Sequence, residues 1–205
     1  IKNAIGDSDI VFIAAGLGGG TGTGAAPVVA KAAKELKALT IGVVTTPFGF
    51  EGQKRMKLAL GGLAELKKEC DSIVVVSNQK LLTIIDKKAG IKDSFKQVDN
   101  VLASAVSGMS SVILDSGVLN LDVQDIKKIM SYRGVALIGI GRSQGESAAQ
   151  KAVEDALQSP LLDNMKINGA MGVLIQIKTN PNYSLVEIGE AMSTIESAVN
   201  EGADI

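Results

Sequence analysis

The 205-residue chain sets 21 basic against 22 acidic side chains, a formal net charge of -1, and is 46% hydrophobic, ample for a core in one large domain or two small ones. Nothing in the charge balance suggests a nucleic-acid groove or a basic membrane-binding face, and zero His with one Cys excludes a zinc site, a Ser-His-Asp triad and an intramolecular disulfide. No stretch reaches the roughly 18 consecutive apolar residues of a membrane span and no signal peptide is present, so a soluble, cytoplasmic chain is expected, with Cys70 an inert reduced thiol.

In chain order, the apolar run Ile10-Val11-Phe12-Ile13-Ala14-Ala15 predicts a buried strand. It leads into Gly16-Leu17-Gly18-Gly19-Gly20-Thr21-Gly22-Thr23-Gly24, six glycines in nine positions, and then a helical pattern from Ala25 to Leu36 with Pro27 in or near its first turn. A strand, a glycine loop and a helix in this order bring bare N–H groups and a positive helix end up to a phosphate. Glycine avoids the side chains that would block close approach and permits φ > 0, while Thr21 and Thr23 add hydroxyl donors. The loop is not a Walker A motif, because Gly24 is followed by Ala25-Ala26-Pro27 and not by Lys-Ser/Thr. Gly20-x-Gly22-x-x-Ala25 matches the dinucleotide fingerprint formally, but the next strand, Thr40 to Val44, ends in Thr45-Thr46-Pro47 without the carboxylate that would hold a ribose.

A Pro-Phe-Gly-Phe loop, a helix from Gly52 to Glu69, a strand from Ile73 to Val76 and a short helix near Lys80 to Ile85 follow. Alternation at these lengths predicts an α/β fold with right-handed crossovers and a mostly parallel sheet. From Asp93 to about Leu114 the stripe Phe95, Val98, Leu102, Val106, Met109 and Ile113 predicts one long helix between two subdomains. A loop (Asp115 to Asn120), a helix (Asp122 to Tyr132), a strand (Val135 to Ile140), a helix (Glu146 to Gln158), a strand (Gly172 to Ile177) and a helix (Ser184 to Val199) complete the pattern. The expected organisation is a partial nucleotide-binding domain over 1–92, the central helix over 93–114 and a second α/β subdomain over 115–205.

Four groups of residues could carry chemistry. Asn78 stands at the carboxyl end of a strand, where open α/β sheets bind ligands, or it is a turn residue or helix cap. Phe95 and Asp99 share a helical face; a carboxylate accepts the N1 and N2 donors of guanine while a ring covers its π face, yet the same spacing also describes a core residue beside a solvated one. Glu51 and Arg55, four apart, have the spacing of a surface helix pair. Asn120-Leu121-Asp122-Val123-Gln124-Asp125 reads as a capped helix start, or as two carboxylates on one face that orient a water and take its proton. This cluster is expected far from the glycine loop.

From Gly18 to Gly24 the sequence resembles the tubulin signature loop. With Ala25-Ala26-Pro27, Thr46-Pro47-Phe48-Gly49-Phe50-Glu51-Gly52 and Asn120-Leu121-Asp122-Val123-Gln124-Asp125 it is similar to the FtsZ family of bacterial cell-division tubulin homologues over essentially its whole length. The resemblance implies a truncated tubulin/FtsZ-like Rossmann-type GTPase domain, an excised piece lacking the first nucleotide loops before Ile1 and a closing strand and tail after Ile205. It implies GTP or GDP as ligand, with Mg²⁺ held through phosphates and water and no protein-bound metal. Gly18, Gly19, Gly20, Thr21, Gly22, Thr23 and Gly24 would meet phosphate, Glu51 and Arg55 the sugar, and Asn78, Phe95 and Asp99 the guanine. Asn120, Asp122 and Asp125 would serve catalysis on the nucleotide of the next subunit. The implied assembly is a head-to-tail homopolymer at the mid-cell division site, with division proteins and membrane anchors reached through the tail. Two alternatives stand beside this: a non-catalytic assembly piece, and a dinucleotide-binding oxidoreductase, which the missing ribose acid disfavours.

Overall fold

The computed structural model describes residues 1–83, 90–114, 123–132, 134–159, 162 and 167–205. Strands β1 (Ile10–Gly16), β2 (Leu39–Thr46), β3 (Ser72–Ser77) and β4 (Gly134–Ala136) pair in that order, all parallel. The first three are joined by helical crossovers: α2 (Gly20–Glu35) links β1 to β2, and α3 (Gln53–Glu69) links β2 to β3. A short α1 (Lys2–Ile5) precedes β1, and α4 (Asn78–Leu81), α5 (Ile91–Leu114) and α6 (Val123–Met130) lie between β3 and β4. All eight residues of β2 are buried, as expected of a central parallel strand covered on both faces. Val44 joins Ile13, Leu17, Ala26, Ala30, Ala59, Leu63, Leu66 and Ile73 in the layer shared with α2 and α3. The strand period turns Ile41 and Val43, both fully buried, to the other face. Helix α5 packs on β1 and β2, with Val98, Ala105 and Met109 buried. Phe95, expected in the same stripe, is instead 44% exposed.

Contacts divide the chain into two units, Ile1–Ala136 and Leu137–Ile205. In the second, α7 (Ala148–Leu157) packs on α8 (Leu185–Ala198). Tyr183 ties the two helix starts together, its hydroxyl donating to Glu187 Oε2 (2.6 Å) and accepting the Ala149 N–H (2.9 Å). No helix among the described residues is long and apolar enough to cross a membrane.

Several boundaries differ from the sequence reading, each for a local reason. Helix α2 starts at Gly20, inside the glycine run, with Gly19 as an extended N-cap. Pro27 is therefore well inside the helix, where it deprives the Thr23 carbonyl of its donor. Helix α4 begins at Asn78, directly after β3. The strand expected over Val135 to Ile140 is paired only at Gly134–Ala136. Past that point Gly139 and Gly141 lie so close to α7 that a Cβ on either would overlap the Ala156 or Ala152 carbonyl. Among the described residues, the strand expected over Gly172 to Ile177 is reduced to one parallel bridge, Gly172 to Asp204, beside which the Val173 N–H donates to the Asp204 carbonyl at 2.7 Å.

Where α2 meets α3, a Cβ on Gly62 would overlap the Thr23 side chain and come within 3.2 Å of the Thr23 carbonyl. Gly62→Ala should therefore lower stability by about 1–3 kcal/mol, the usual range for an overpacked contact, read as a drop in the urea midpoint. Cys70, half-buried after α3, has its thiol pushed up from 9.0 to about 12, chiefly by burial and then by the Asp71 and Glu69 carboxylates. The folded chain thus keeps a proton that the unfolded chain loses. The thiol's contribution to stability is present in full below pH 9.0 and is lost as pH rises toward about 12. Thermal melts across that window should fall more steeply for the unaltered chain than for Cys70→Ala.

Candidate functional site

Because β1, β2 and β3 are parallel, their carboxyl ends share one edge of the sheet, the place where α/β folds take ligands. The edge is built from the glycine loop after β1, the turn after β2 and the first residue after β3.

Pairing continues beyond β1, the Leu17 N–H donating to the Thr45 carbonyl at 2.9 Å, and Leu17 is buried beneath the loop. Gly18 then turns with φ +100° against Pro47 and Arg55; a Cβ there would meet Pro47 Cγ at 2.7 Å and the Arg55 carbonyl at 3.1 Å. The Gly18 N–H donates to Thr23 Oγ1 at 2.8 Å, so this hydroxyl accepts a bond from the loop itself and only its proton remains for a ligand. A Cβ on Gly22 would overlap the Gly16 carbonyl, so the helix start lies directly on the strand end. No side chain caps the start of α2, and Gly20, Thr21 and Gly24 are exposed. The result is a backbone surface of N–H groups at a positive helix end, suited to phosphate oxygens.

After β2 the chain makes a 3-10 turn over Gly49–Glu51. Both oxygens of Glu51 are engaged: Oε1 accepts the Phe48 N–H at 2.8 Å and Oε2 pairs with Arg55 at 2.9 Å. The Gly49 N–H donates to Gln79 Oε1 at 2.8 Å, tying this turn to α4. Phe48 is 2% exposed, lies parallel to Phe50 with centroids 4.9 Å apart, and meets Phe95 edge-on at 5.4 Å. That last contact joins α5 to the turn. Asp99 is exposed, one helical turn beyond Phe95. Beside Gln79, Asn78 has a buried Oδ1 with no hydrogen-bond partner among the described residues. A buried acceptor left unpaired costs about 1–3 kcal/mol, which a donor from a ligand would relieve.

The glycine loop, Glu51, Arg55, Asn78 and Phe95 therefore belong to one connected edge. Of the acidic cluster, Asp125 lies on a helix tied to the other edge. Asn120 and Asp122 lie outside the described residues, while Asp125 is exposed in the first turn of α6. Two residues on, Lys127 Nζ pairs with Asp9 Oδ1 at 2.8 Å, and Asp9 immediately precedes β1. Helix α6 is thereby fastened to the amino edge of the sheet. The glycine loop leaves the other end of β1, roughly 20 Å away at a rise of about 3.3 Å per residue.

Sequence reading gave no role to Phe48, Pro47 or Gln79. One signal was available: the chain has only four Phe, and three of them, Phe48, Phe50 and Phe95, gather here.

Residues 1–86 match the family model described as Tubulin/FtsZ family, GTPase domain, and residues 134–205 match that of the FtsZ family, C-terminal domain. Two M. jannaschii structures, an empty FtsZ dimer and an FtsZ point mutant, are each 47% identical to the chain, with TM-scores of 0.94 and 0.93 over 100% of its length. The chain spans 59% and 61% of theirs. CetZ from Methanosaeta thermophila strain DSM 6194 shares the fold, with 19% identity and a TM-score of 0.75 over 96% of this chain and 56% of its own. With both family models matched and the fold shared along the whole sequence, the chain belongs to the Tubulin/FtsZ family.

Proposed function

We propose that the chain binds GTP at the carboxyl edge of its sheet and belongs to a cytoskeletal GTPase that assembles head to tail. The observation that carries this reading is the separation of two half-sites. A surface suited to phosphate and a base sits at one edge, while α6, with its acidic first turn, is fastened through Lys127 and Asp9 to the other.

In this reading, the run from Gly18 to Gly24 receives the phosphates through the free N–H groups at the start of α2, with Thr21 and Thr23 adding hydroxyl protons. Glu51 and Arg55 meet the sugar. Phe95 covers the base and Asp99 accepts the N1 and N2 donors of guanine; adenine would set an acceptor against that carboxylate, which is the basis of selection. The unpaired Asn78 Oδ1 supplies a further acceptor at the same edge. No group of three His, Cys, Asp or Glu side chains among the described residues could hold a metal. Mg²⁺ would be held through phosphate oxygens and water, where it would neutralise charge on the transferring group.

Hydrolysis also needs a group that orients water and takes its proton. Asp122 and Asp125, with Asn120, fill that role for the nucleotide of the next subunit, so that residues 1–92 bind, 93–114 connect and 115–205 activate. A contact joining opposite edges of two copies is heterologous and propagates into a filament. Such a filament, lying in the cytoplasm, would form the division ring at mid-cell, with division proteins and membrane anchors engaged by parts of the protein outside these residues. A second reading, a binding-deficient assembly piece, draws on the chain spanning 59% of the FtsZ it matches.

Titration of a fluorescent GTP analogue into the 205-residue chain separates the two: micromolar affinity supports the nucleotide site, and no binding at millimolar concentration removes it. Asp125→Ala should keep GTP affinity within about twofold while turnover falls about a hundredfold or more, in the range for loss of a general base. Mixing that variant with Gly18→Ala, whose loop is spoiled but whose acids are intact, should recover part of the turnover. A site complete within one chain would show no recovery.

A further inference from the structure

We propose that Phe48 is the positioning residue of the base site, setting the ring plane of Phe95 and the carboxylate of Glu51 together. The proposal rests on the nucleotide-binding reading above and adds a residue that has no part in it.

Three observations converge on Phe48. Its ring is enclosed, at 2% exposure, whereas Phe95 and Phe50 on either side are 44% and 71% exposed. It is inclined 83° to Phe95 with centroids 5.4 Å apart, an edge-to-face contact with the ring assigned to the base. A positive ring edge against a negative face is the favoured approach of two aromatic rings and fixes one orientation. Phe50 lies 13° from parallel at 4.9 Å and stacks on the enclosed ring. The Phe48 backbone meanwhile donates to Glu51 Oε1 at 2.8 Å, leaving Oε2 to Arg55. The next residue, Gly49, is anchored to Gln79 at 2.8 Å, so the turn cannot drift from α4.

A half-exposed ring on a helix would otherwise sample several rotamers, and ordering it on binding weakens affinity. Phe48 holds it before the nucleotide arrives. The effect of its side chain is confined to the base, because the bond to Glu51 is made by the Phe48 backbone N–H. Asp99, one turn along the same helix, benefits only if Phe95 presents the base at the right height.

The test compares GTP with ribose 5-triphosphate, which keeps the phosphates and sugar but has no base, as competitors of a bound fluorescent GTP analogue. Phe48→Leu keeps an apolar side chain and removes the ring edge. It should weaken GTP by about 2- to 12-fold, which is what an aromatic pair of about 0.5–1.5 kcal/mol amounts to at 1.4 kcal/mol per tenfold, and leave ribose 5-triphosphate unchanged. Equal weakening of both ligands would assign Phe48 a merely structural role, and unchanged GTP affinity would remove the proposal outright. Should Phe48→Leu fail to give a cooperative melt, Phe50→Ala decides, since Phe50 is largely exposed and its loss removes only the ring behind Phe48. A loss of about twofold or more for GTP alone supports the relay of rings, at the low end of an aromatic pair's worth, and no loss overturns it. If the unaltered chain bound no GTP, the parent reading would fall and this one with it. A wild-type affinity that Phe48→Leu leaves untouched would sink only this one.

Discussion

The parallel pairing of β1 with β2 is the constraint on which the site depends. It runs in step from Ile10 against Leu39 to Gly16 against Thr45, and the Leu17 N–H extends it by one more bond to the Thr45 carbonyl. Two loops that leave adjacent strands at the same height must share space. Gly18 lies against Pro47 and Arg55 with no room for a Cβ, and Gly22 lies against the Gly16 carbonyl. The glycines thus serve two purposes: they bare the N–H groups toward a ligand, and they let the turn, the strand end and the helix start approach more closely than side chains would allow. A shift of register by one residue would separate Gly18 from Pro47 and dissolve the site without unfolding a single helix.

Much of this was legible from residues alone, because the signals were backbone signals. The apolar run Ile10 to Ala15, the glycines after it and the helical pattern after those could be assembled only one way, and the parallel sheet followed from the alternation. The start of α2 was misplaced because glycine carries low helix propensity, and propensity argued for a loop up to Gly24. Packing decided otherwise: Gly22 must lie on Gly16 and Thr23 against Gly62, and both follow once the helix begins at Gly20. Propensity was overridden by contacts that no local pattern records.

The site was legible to a different degree. Glu51 and Arg55 do form the ion pair that their spacing announces. What spacing could not announce is that Glu51 also holds the Phe48 backbone, or that Phe95, on an apolar stripe, turns out of the core to meet Phe48. A stripe of period 3.6 says which residues share a face and not where the face ends. Phe95 stands near the start of α5, where the stripe runs past the sheet. The segments Val135 to Ile140 and Gly172 to Ile177 had the right residues for strands but, among the described residues, pair only at Gly134–Ala136 and at the Gly172–Asp204 bridge. A strand is a property of two segments, and composition speaks for one.

The Lys127–Asp9 pair would ordinarily merit little notice, since an exposed ion pair contributes at most about 1 kcal/mol. Its importance is positional. Asp9 is fixed by the start of β1, its carbonyl accepting the Leu39 N–H at 2.9 Å, so whatever Lys127 holds is referred to the sheet and not to a mobile loop. The same strand therefore sets the glycine loop at one end and α6, with Asp125 in its first turn, at the other. A rigid strand of that length keeps the two apart in one molecule and, by the same rigidity, keeps them at a constant distance and direction in every copy. On the proposed reading, stacking copies along that direction would bring one molecule's acids to the next molecule's loop at each step, with no conformational change to transmit. Dependence of turnover on assembly would then need no switch: it would follow from a strand that neither half-site can reach around.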